Sequence, residues 1–431
     1  MQTANAAATA APRPLGASDY KTLSLAALGG ALEFYDFVIF VFFATVLGQL
    51  FFPPEIPDWL RQLQTFGIFA AGYLARPLGG IVMAHFGDLL GRKRMFALSI
   101  LMMSVPTLLM GLLPTYASIG LAAPLMLLAL RIVQGAAVGG EVPGAWVFVA
   151  EHVPGRNIGF ACGTLTAGLS AGILLGSFVA TLANTLFTQE ELLDYGWRIP
   201  FLLGGVFGIC SMYLRRWLEE TPIFAELKQK KALAAELPLK TVLREHRRGV
   251  LQSMLLTWLL SAALVVMILM TPPMLQKSFG FDAVTTLNAN SVAVICLVFG
   301  CILAGHLADR FGAARTVFLG TFWLAFCSWL LYANLAAHPD WLMPLYALTG
   351  FSVGIVGAIP YVMVHAFPAQ VRFTGLSFSY NVAYAIFGGL TPILVGLLAK
   401  STPMAPAYYV MAVSVVGMIT ACSLPRKPAF S

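Results

Sequence analysis

Long apolar stretches separated by short polar ones dominate this chain of 431 residues. Predominantly apolar runs of about twenty residues or more fall at 22–50, 62–86, 95–114, 118–149, 157–187, 197–217, 250–275, 285–308, 314–335, 341–364, 373–398 and 404–424. A helix rising about 1.5 Å per residue needs a run of this length to cross a hydrocarbon layer roughly 30 Å thick. The runs are continuous and do not alternate at period two, which excludes a transmembrane barrel. The pattern predicts an all-α polytopic membrane protein with twelve transmembrane helices, and the even number places both termini on one side.

The longest polar interval, RRWLEETPIFAELKQKKALAAELPLKTVLREHRRG (215–249), divides six runs from six. The predicted organisation is a tail over 1–21, a six-helix bundle over 22–217, a linker over 218–249, a second six-helix bundle over 250–424 and a tail over 425–431. Glu and Lys spacing in the linker suits short amphipathic helices lying on a membrane surface. The first twenty residues are Ala-, Pro- and Thr-rich, with no small-residue cleavage site before the first helix, so a disordered tail and no signal peptide are expected. The halves also echo each other. AHFGDLLGRKR (84–94) follows the second run and GHLADRFGAAR (305–315) follows the eighth, and VPGRNIG matches QVRFTG so as to pair Arg156 with Arg372. Such an internal repeat predicts two pseudo-symmetric bundles.

Composition agrees with the pattern: 59% of residues are hydrophobic and only 10% charged, against about 25% charged in soluble domains. The net charge of +7 changes the picture only through its distribution. Twenty Lys and Arg residues fall on the side of the termini: Arg13, Lys21, Arg92, Lys93, Arg94, Arg156, nine within 215–249, Arg310, Arg315, Arg372, Arg426 and Lys427. The other side has Arg61, Arg198, Lys277 and Lys400. This asymmetry argues against a nucleic-acid partner and predicts cytoplasmic termini. The side of the termini is called the basic face below. All six cysteines lie in apolar runs without metal-ligand or disulfide spacing. No H-E-x-x-H, G-x-S-x-G or phosphate-binding loop is present, so neither an enzyme nor a metal or other cofactor is expected.

Charges inside the apolar runs carry the candidate chemistry. An ionisable group at mid-membrane costs about 2.5–3.5 kcal/mol on insertion scales and persists where it faces a bundle interior or a wet cavity. The first run holds Glu33 and Asp36, the second Arg76, and the fourth Arg131, Gln134 and Glu141. Glu33, Asp36, Arg131 and Glu141 are the expected proton-coupling set. An ion pair between Asp36 and Arg131 is expected, which protonation of Asp36 would open for an anionic substrate. Arg76 either binds substrate or pairs with Glu33. Arg131, Arg76, Tyr35 and Gln134 from the first half, with Tyr361, Tyr380, Asn381 and Tyr384 from the second, are the expected substrate-binding residues. In the repeated loop, glycines such as Gly91 allow a tight turn. Asp88, Arg92, Lys93 and Arg94, with their echoes Asp309 and Arg310, are placed to grip helix ends and latch one conformation, Asp88 pairing with a loop Arg.

The loop resembles the signature G-x-x-x-D-x-x-G-R-[RK]-[RK] of the major facilitator superfamily, with Ala84 for the first Gly and Ala313-Ala314 in place of basic residues in the second copy. The resemblance extends from about residue 21 to 424. Within the superfamily, LEFYDF (32–37), GYLARPLGG (72–80), RIVQGAAVGGE (131–141), YGWRIPFLLGG (195–205), RRWLEETPIF (215–224) and GLSFSYNVAYAIFGG (375–389) resemble the metabolite:proton symporters. What this implies is proton-driven uptake of a small metabolite by alternating access, through a monomer in the bacterial inner membrane. An organic anion such as a di- or tricarboxylate is the first substrate class expected, and a zwitterionic osmolyte of the proline or betaine type the alternative. The ending LPRKPAFS, without the long helical tail of some osmosensing relatives, tilts the expectation to the carboxylate. An efflux antiporter is a third option, which the absence of a Gly-Pro pair in the fifth run disfavours.

Overall fold

The structure, a computed structural model, describes residues 14–90, 92–215, 217 and 238–425. The expectations for the first thirteen residues, for Gly91, for most of the linker and for 426–431 lie outside the described residues, as do the side chains of Arg92 and Lys93.

Every apolar run forms a helix. These are α1 (Ala17–Phe42), α2 (Asp58–Leu90), α3 (Arg92–Leu112), α4 (Ala122–His152), α5 (Ile158–Leu186) and α6 (Arg198–Arg215) in the first half. The second half has α7 (Arg247–Gln276), α8 (Ala283–Phe311), α9 (Ala313–Leu335), α10 (Pro339–His365), α11 (Arg372–Leu398) and α12 (Ala405–Cys422). Ten spans among the described residues are long and apolar enough on their own; α6 completes a bent span with Gln189–Gly196, and the apolar part of α3 is the shorter Ala97–Leu112. Large side chains such as Leu74 and Leu78 on α2, Phe178 on α5 and Leu319 on α9 stay exposed, as expected where lipid is the solvent.

Small residues decide which helices cross closely. A methyl group on Gly79 would collide with the Ala136 backbone, on Gly135 with Gly72, and on Gly139 with the Arg76 carbonyl, so α2 and α4 meet backbone to backbone. The second half repeats this: Gly350 on α10 meets Ala293 on α8, and Gly357 meets Cys301. The halves join along α5 with α8 and α2 with α11, two contacts related by the internal repeat. Helical regularity is interrupted in several spans. Chain α1 pauses at Phe43 before a short helix, Ala44–Phe51. Wide π-turns occur at Val265–Met270 in α7 and Tyr384–Gly388 in α11, the kind of irregularity that concentrates at functional positions.

Candidate functional site

Arg76 projects from α2 into a cluster of tyrosines supplied by both halves. Its guanidinium centre lies 5.4 Å from the ring centroid of Tyr73, 5.3 Å from Tyr380 and 4.5 Å from Tyr384. Tyr73 and Tyr384 stack in parallel at 5.7 Å, and Trp146 of α4 closes edge-on against Tyr380 at 5.1 Å. Tyr384 opens the π-turn of α11. Arg76 is 2% exposed, makes no ion pair among the described residues, and its Nε and Nη2 have no hydrogen-bond partner. Those two nitrogens form the edge of a guanidinium that grips a carboxylate with two parallel bonds. A cation held by ring faces with that edge unused is arranged to receive an anionic group.

Arg131 of α4, which lies against Gly72, one turn of α2 before Arg76, is occupied. Its centre lies 4.3, 4.6 and 4.9 Å from the rings of Phe37, Phe40 and Phe69. Both terminal nitrogens donate to the Phe37 carbonyl at 3.3 Å, and Nη1 also donates to Gln134 Oε1. Gln134 in turn donates from Nε2 to the Asp36 carbonyl (3.0 Å) and to Thr107 Oγ1 (2.8 Å). The expected side-chain pair between Asp36 and Arg131 is therefore not formed. Successive helical residues point about 100° apart; Phe37 and the main-chain carbonyls of Asp36 and Phe37 face α4, which turns the Asp36 carboxyl away, onto Gly204 of α6 beside Thr107. There both carboxyl oxygens are buried without a hydrogen-bond partner.

The remaining candidates separate by role. Glu33 turns to α6 and accepts from Ser211 Oγ at 2.5 Å, so it is not the partner of Arg76. Tyr35 also faces α6, donating to the Pro200 carbonyl at 2.8 Å and packing on Phe207; it ties α1 to α6 and stands away from the tyrosine cluster. Glu141 is buried in α4. Asn381 spans the halves, donating to the Gly139 carbonyl at 2.6 Å and leaving Oδ1 buried without a partner. Tyr361 lies on α10 against His365 and toward Asp309, nearer the basic face than Tyr380 and Tyr384. Sequence reasoning missed Tyr73, three residues before Arg76 and therefore on the same side of α2, as well as Thr107 and Ser211, whose hydroxyls carry no periodic signal.

At the basic face the repeated loop acts through its acids. Asp88 Oδ2 accepts from the Thr374 backbone N–H (3.0 Å) and hydroxyl (2.8 Å) at the start of α11. Asp309 accepts from the backbone N–H groups of Gly159 and Phe160 at the start of α5, both at 2.7 Å. Each half thus places a carboxylate on the N-terminus of a helix of the other half, where unpaired N–H groups and the helix dipole favour negative charge. Arg372, the echo of Arg156, adds an ion pair with Glu151 at 3.1 Å. Arg310 and Arg94 are exposed, and Arg310 rests on Phe311. Replacing Asp88 and Asp309 by Asn removes two charge-assisted contacts worth about 1.5–3 kcal/mol each. In a background where Cys162 is the only cysteine, buried on α5, maleimide labelling of that thiol is expected to speed up at least tenfold. An unchanged rate would show that these acids do not hold the basic face shut.

Comparison with known proteins places these features in context. The profile of the Major Facilitator Superfamily matches residues 28–378. The proline/betaine transporter of Salmonella typhimurium is 33% identical over 424 residues, covering 94% of this chain and 83% of that protein. The glycine betaine/proline/ectoine/pipecolic acid transporter OusA of Dickeya dadantii is 33% identical over 417 residues, covering 93% of this chain and 82% of that protein. Among solved structures, the proton:xylose symporter XylE superposes with a TM-score of 0.77 over 94% of both chains at 16% identity, a likeness of fold.

Proposed function

The chain belongs to the major facilitator superfamily, and on that premise we propose that it takes up a zwitterionic osmolyte of the proline or betaine type together with protons. The observation that carries the proposal is Arg76, with its carboxylate-gripping edge unoccupied inside a cluster of three tyrosines. A zwitterion satisfies both parts. Its carboxylate takes Nε and Nη2 of Arg76, while its ammonium competes for the negative ring faces of Tyr73, Tyr380 and Tyr384, as quaternary ammonium groups do in aromatic cages. A simple organic acid uses the arginine and leaves the aromatic surface without a cation beyond Arg76 itself. The names of the relatives support the zwitterion, so the preference for a di- or tricarboxylate drawn from the chain's ending gives way.

Asp36 serves as the proton site. A carboxyl without hydrogen-bond donors in a membrane interior is tolerated as the neutral acid, and ionisation demands that water or a donor reach it. Its own main chain joins it to the Gln134–Arg131 network, so a proton-dependent shift of α1 is felt at Tyr73, which touches Phe37 and Phe69 edge-on. Arg131 and Gln134 are then positioning residues. The basic face lies in the cytoplasm of a bacterial cell with both termini, and one polypeptide supplies the whole site.

A thermal-shift series on the purified protein tests the substrate class. Proline and glycine betaine are expected to raise the melting temperature saturably, with succinate and citrate inert. Stabilisation by the di- and tricarboxylates alone would falsify the zwitterion assignment.

A further inference from the structure

Gly80 follows Arg76 by four residues on α2, one helical turn nearer the basic face. Having no side chain, it makes room for α11: a methyl group there would collide with Asn381 Nδ2, with Ser377 Oγ and with the Gly139 carbonyl. Asn381 is fully buried. Its Nδ2 meets three acceptors, the carbonyls of Gly139 (2.6 Å) and Ser377 (2.8 Å) and the Ser377 hydroxyl (3.2 Å). Turning the amide over would set its oxygen against two carbonyl oxygens, neither of which can donate, so the nitrogen belongs on that side. Oδ1 then has no donor among the described residues. A buried acceptor in that condition is costly and uncommon. Bridging the halves employs Nδ2 alone and gives Oδ1 no task. On α11, Asn381 lies about 60° round from Tyr384 and 100° from Tyr380, the two rings that this helix sets against Arg76.

We infer that Asn381 Oδ1 accepts an N–H from the ammonium group of the substrate, so that the site favours zwitterions carrying N–H, such as proline, over fully methylated betaines. The inference rests on the reading of Arg76 as the carboxylate site. The two sets of unused groups are complementary: Nε and Nη2 of Arg76 can only donate, and Oδ1 of Asn381 can only accept. A zwitterion with N–H offers an acceptor to the first and a donor to the second. Arg76 and Gly80, against which Asn381 is seated, stand about 6 Å apart along α2, a distance that an ammonium next to a carboxylate covers with a hydrogen bond at each end. A quaternary ammonium reaches the ring faces of Tyr73, Tyr380 and Tyr384 but leaves Oδ1 without a donor. Sites built to bond a substrate N–H reject the analogue lacking it because their own buried group stays unpaired.

Calorimetric titration of the purified full chain with proline, N-methylproline and N,N-dimethylproline tests this role, since the series removes N–H groups from one carbon skeleton. In the wild type, proline and N-methylproline, which keeps one N–H, are expected to bind within about threefold of each other, and N,N-dimethylproline about tenfold or more weakly than either. Asn381→Leu keeps side-chain bulk and removes the amide. It is expected to weaken proline about tenfold or more while changing N,N-dimethylproline by less than about threefold. Equal binding of all three ligands by the wild type, or a leucine variant that keeps the wild-type preference, overturns the role of Asn381 and leaves the reading of Arg76 standing. Failure of all three to bind the wild type overturns both. A loss already complete with the first methyl group assigns the discrimination to bulk and rejects the hydrogen bond, a result the wild type supplies even where the variant does not fold.

Discussion

Arg76→Gln is expected to lower substrate affinity about a hundredfold while leaving the substrate-free protein as stable as the wild type, or more so. The two effects have opposite signs for a physical reason. In the absence of substrate, Arg76 is a buried cation whose Nε and Nη2 bond to nothing, so its desolvation is offset by the ring faces of Tyr73, Tyr380 and Tyr384 and by a side-chain hydrogen bond with Tyr380. Removing such a charge relieves a desolvation cost. With substrate present, the lost pair of charge-assisted bonds amounts to about 3 kcal/mol or more, and each 1.4 kcal/mol is about tenfold in affinity. Arg76→Lys keeps the charge and loses the fork, so it is expected to fall between the two. The measurement is paired: melting temperature without ligand, and the dissociation constant for proline or betaine by calorimetry. A drop of ten degrees or more in the ligand-free protein would assign Arg76 to the architecture and remove it from the binding site.

Asp36→Asn is expected to abolish accumulation against a gradient while sparing exchange. Asn fills the space over Gly204 of α6 and mimics the neutral acid, so binding and counterflow survive. What disappears is the group that takes up and releases a proton. One charge moved through the membrane potential contributes about 2.3 kcal/mol per 100 mV, so losing one proton from the cycle reduces the attainable concentration ratio about 40-fold at that potential. In proteoliposomes, counterflow of labelled proline or betaine is expected to persist at more than half the wild-type rate, with uptake driven by an imposed pH gradient at background. Gradient-driven uptake at the wild-type level, with its usual pH dependence, would remove Asp36 from the coupling step. Replacing Arg131 separates the proposed roles further. It packs on three phenylalanines and bonds to the Phe37 carbonyl, so Arg131→Gln is expected to lower stability as well as transport, unlike Arg76→Gln.

Much of this architecture is written along the chain. Apolar runs of sufficient length demand helices in a membrane because every backbone polar group must be satisfied within its own segment, and each predicted run holds a helix. The duplicated D-x-x-G loop is legible as a repeat, and the buried Glu33, Asp36, Arg76, Arg131 and Glu141 stand out because charge in an apolar run is costly wherever the run is placed. These features are local, and local chemistry is what a sequence states directly.

Partnership among the buried groups was decided only in three dimensions. Asp36 and Arg131 are the pair that charge alone would join, yet the rotation of α1 gives the face toward α4 to Phe37 and two carbonyls and sends the carboxyl to α6. Tyr380 and Tyr384 are some 300 residues from Arg76 and reach it because glycines draw α2 and α4 together backbone to backbone and leave Gly80 against Asn381 of α11. The acids of the loop motif reach helix N-termini of the opposite half, a pairing that neither copy of the motif contains. Hydrophobic length and repeat specify how many helices there are and where they turn; helix rotation and the packing between halves, which a nearly uniform apolar pattern does not encode, select which buried groups meet.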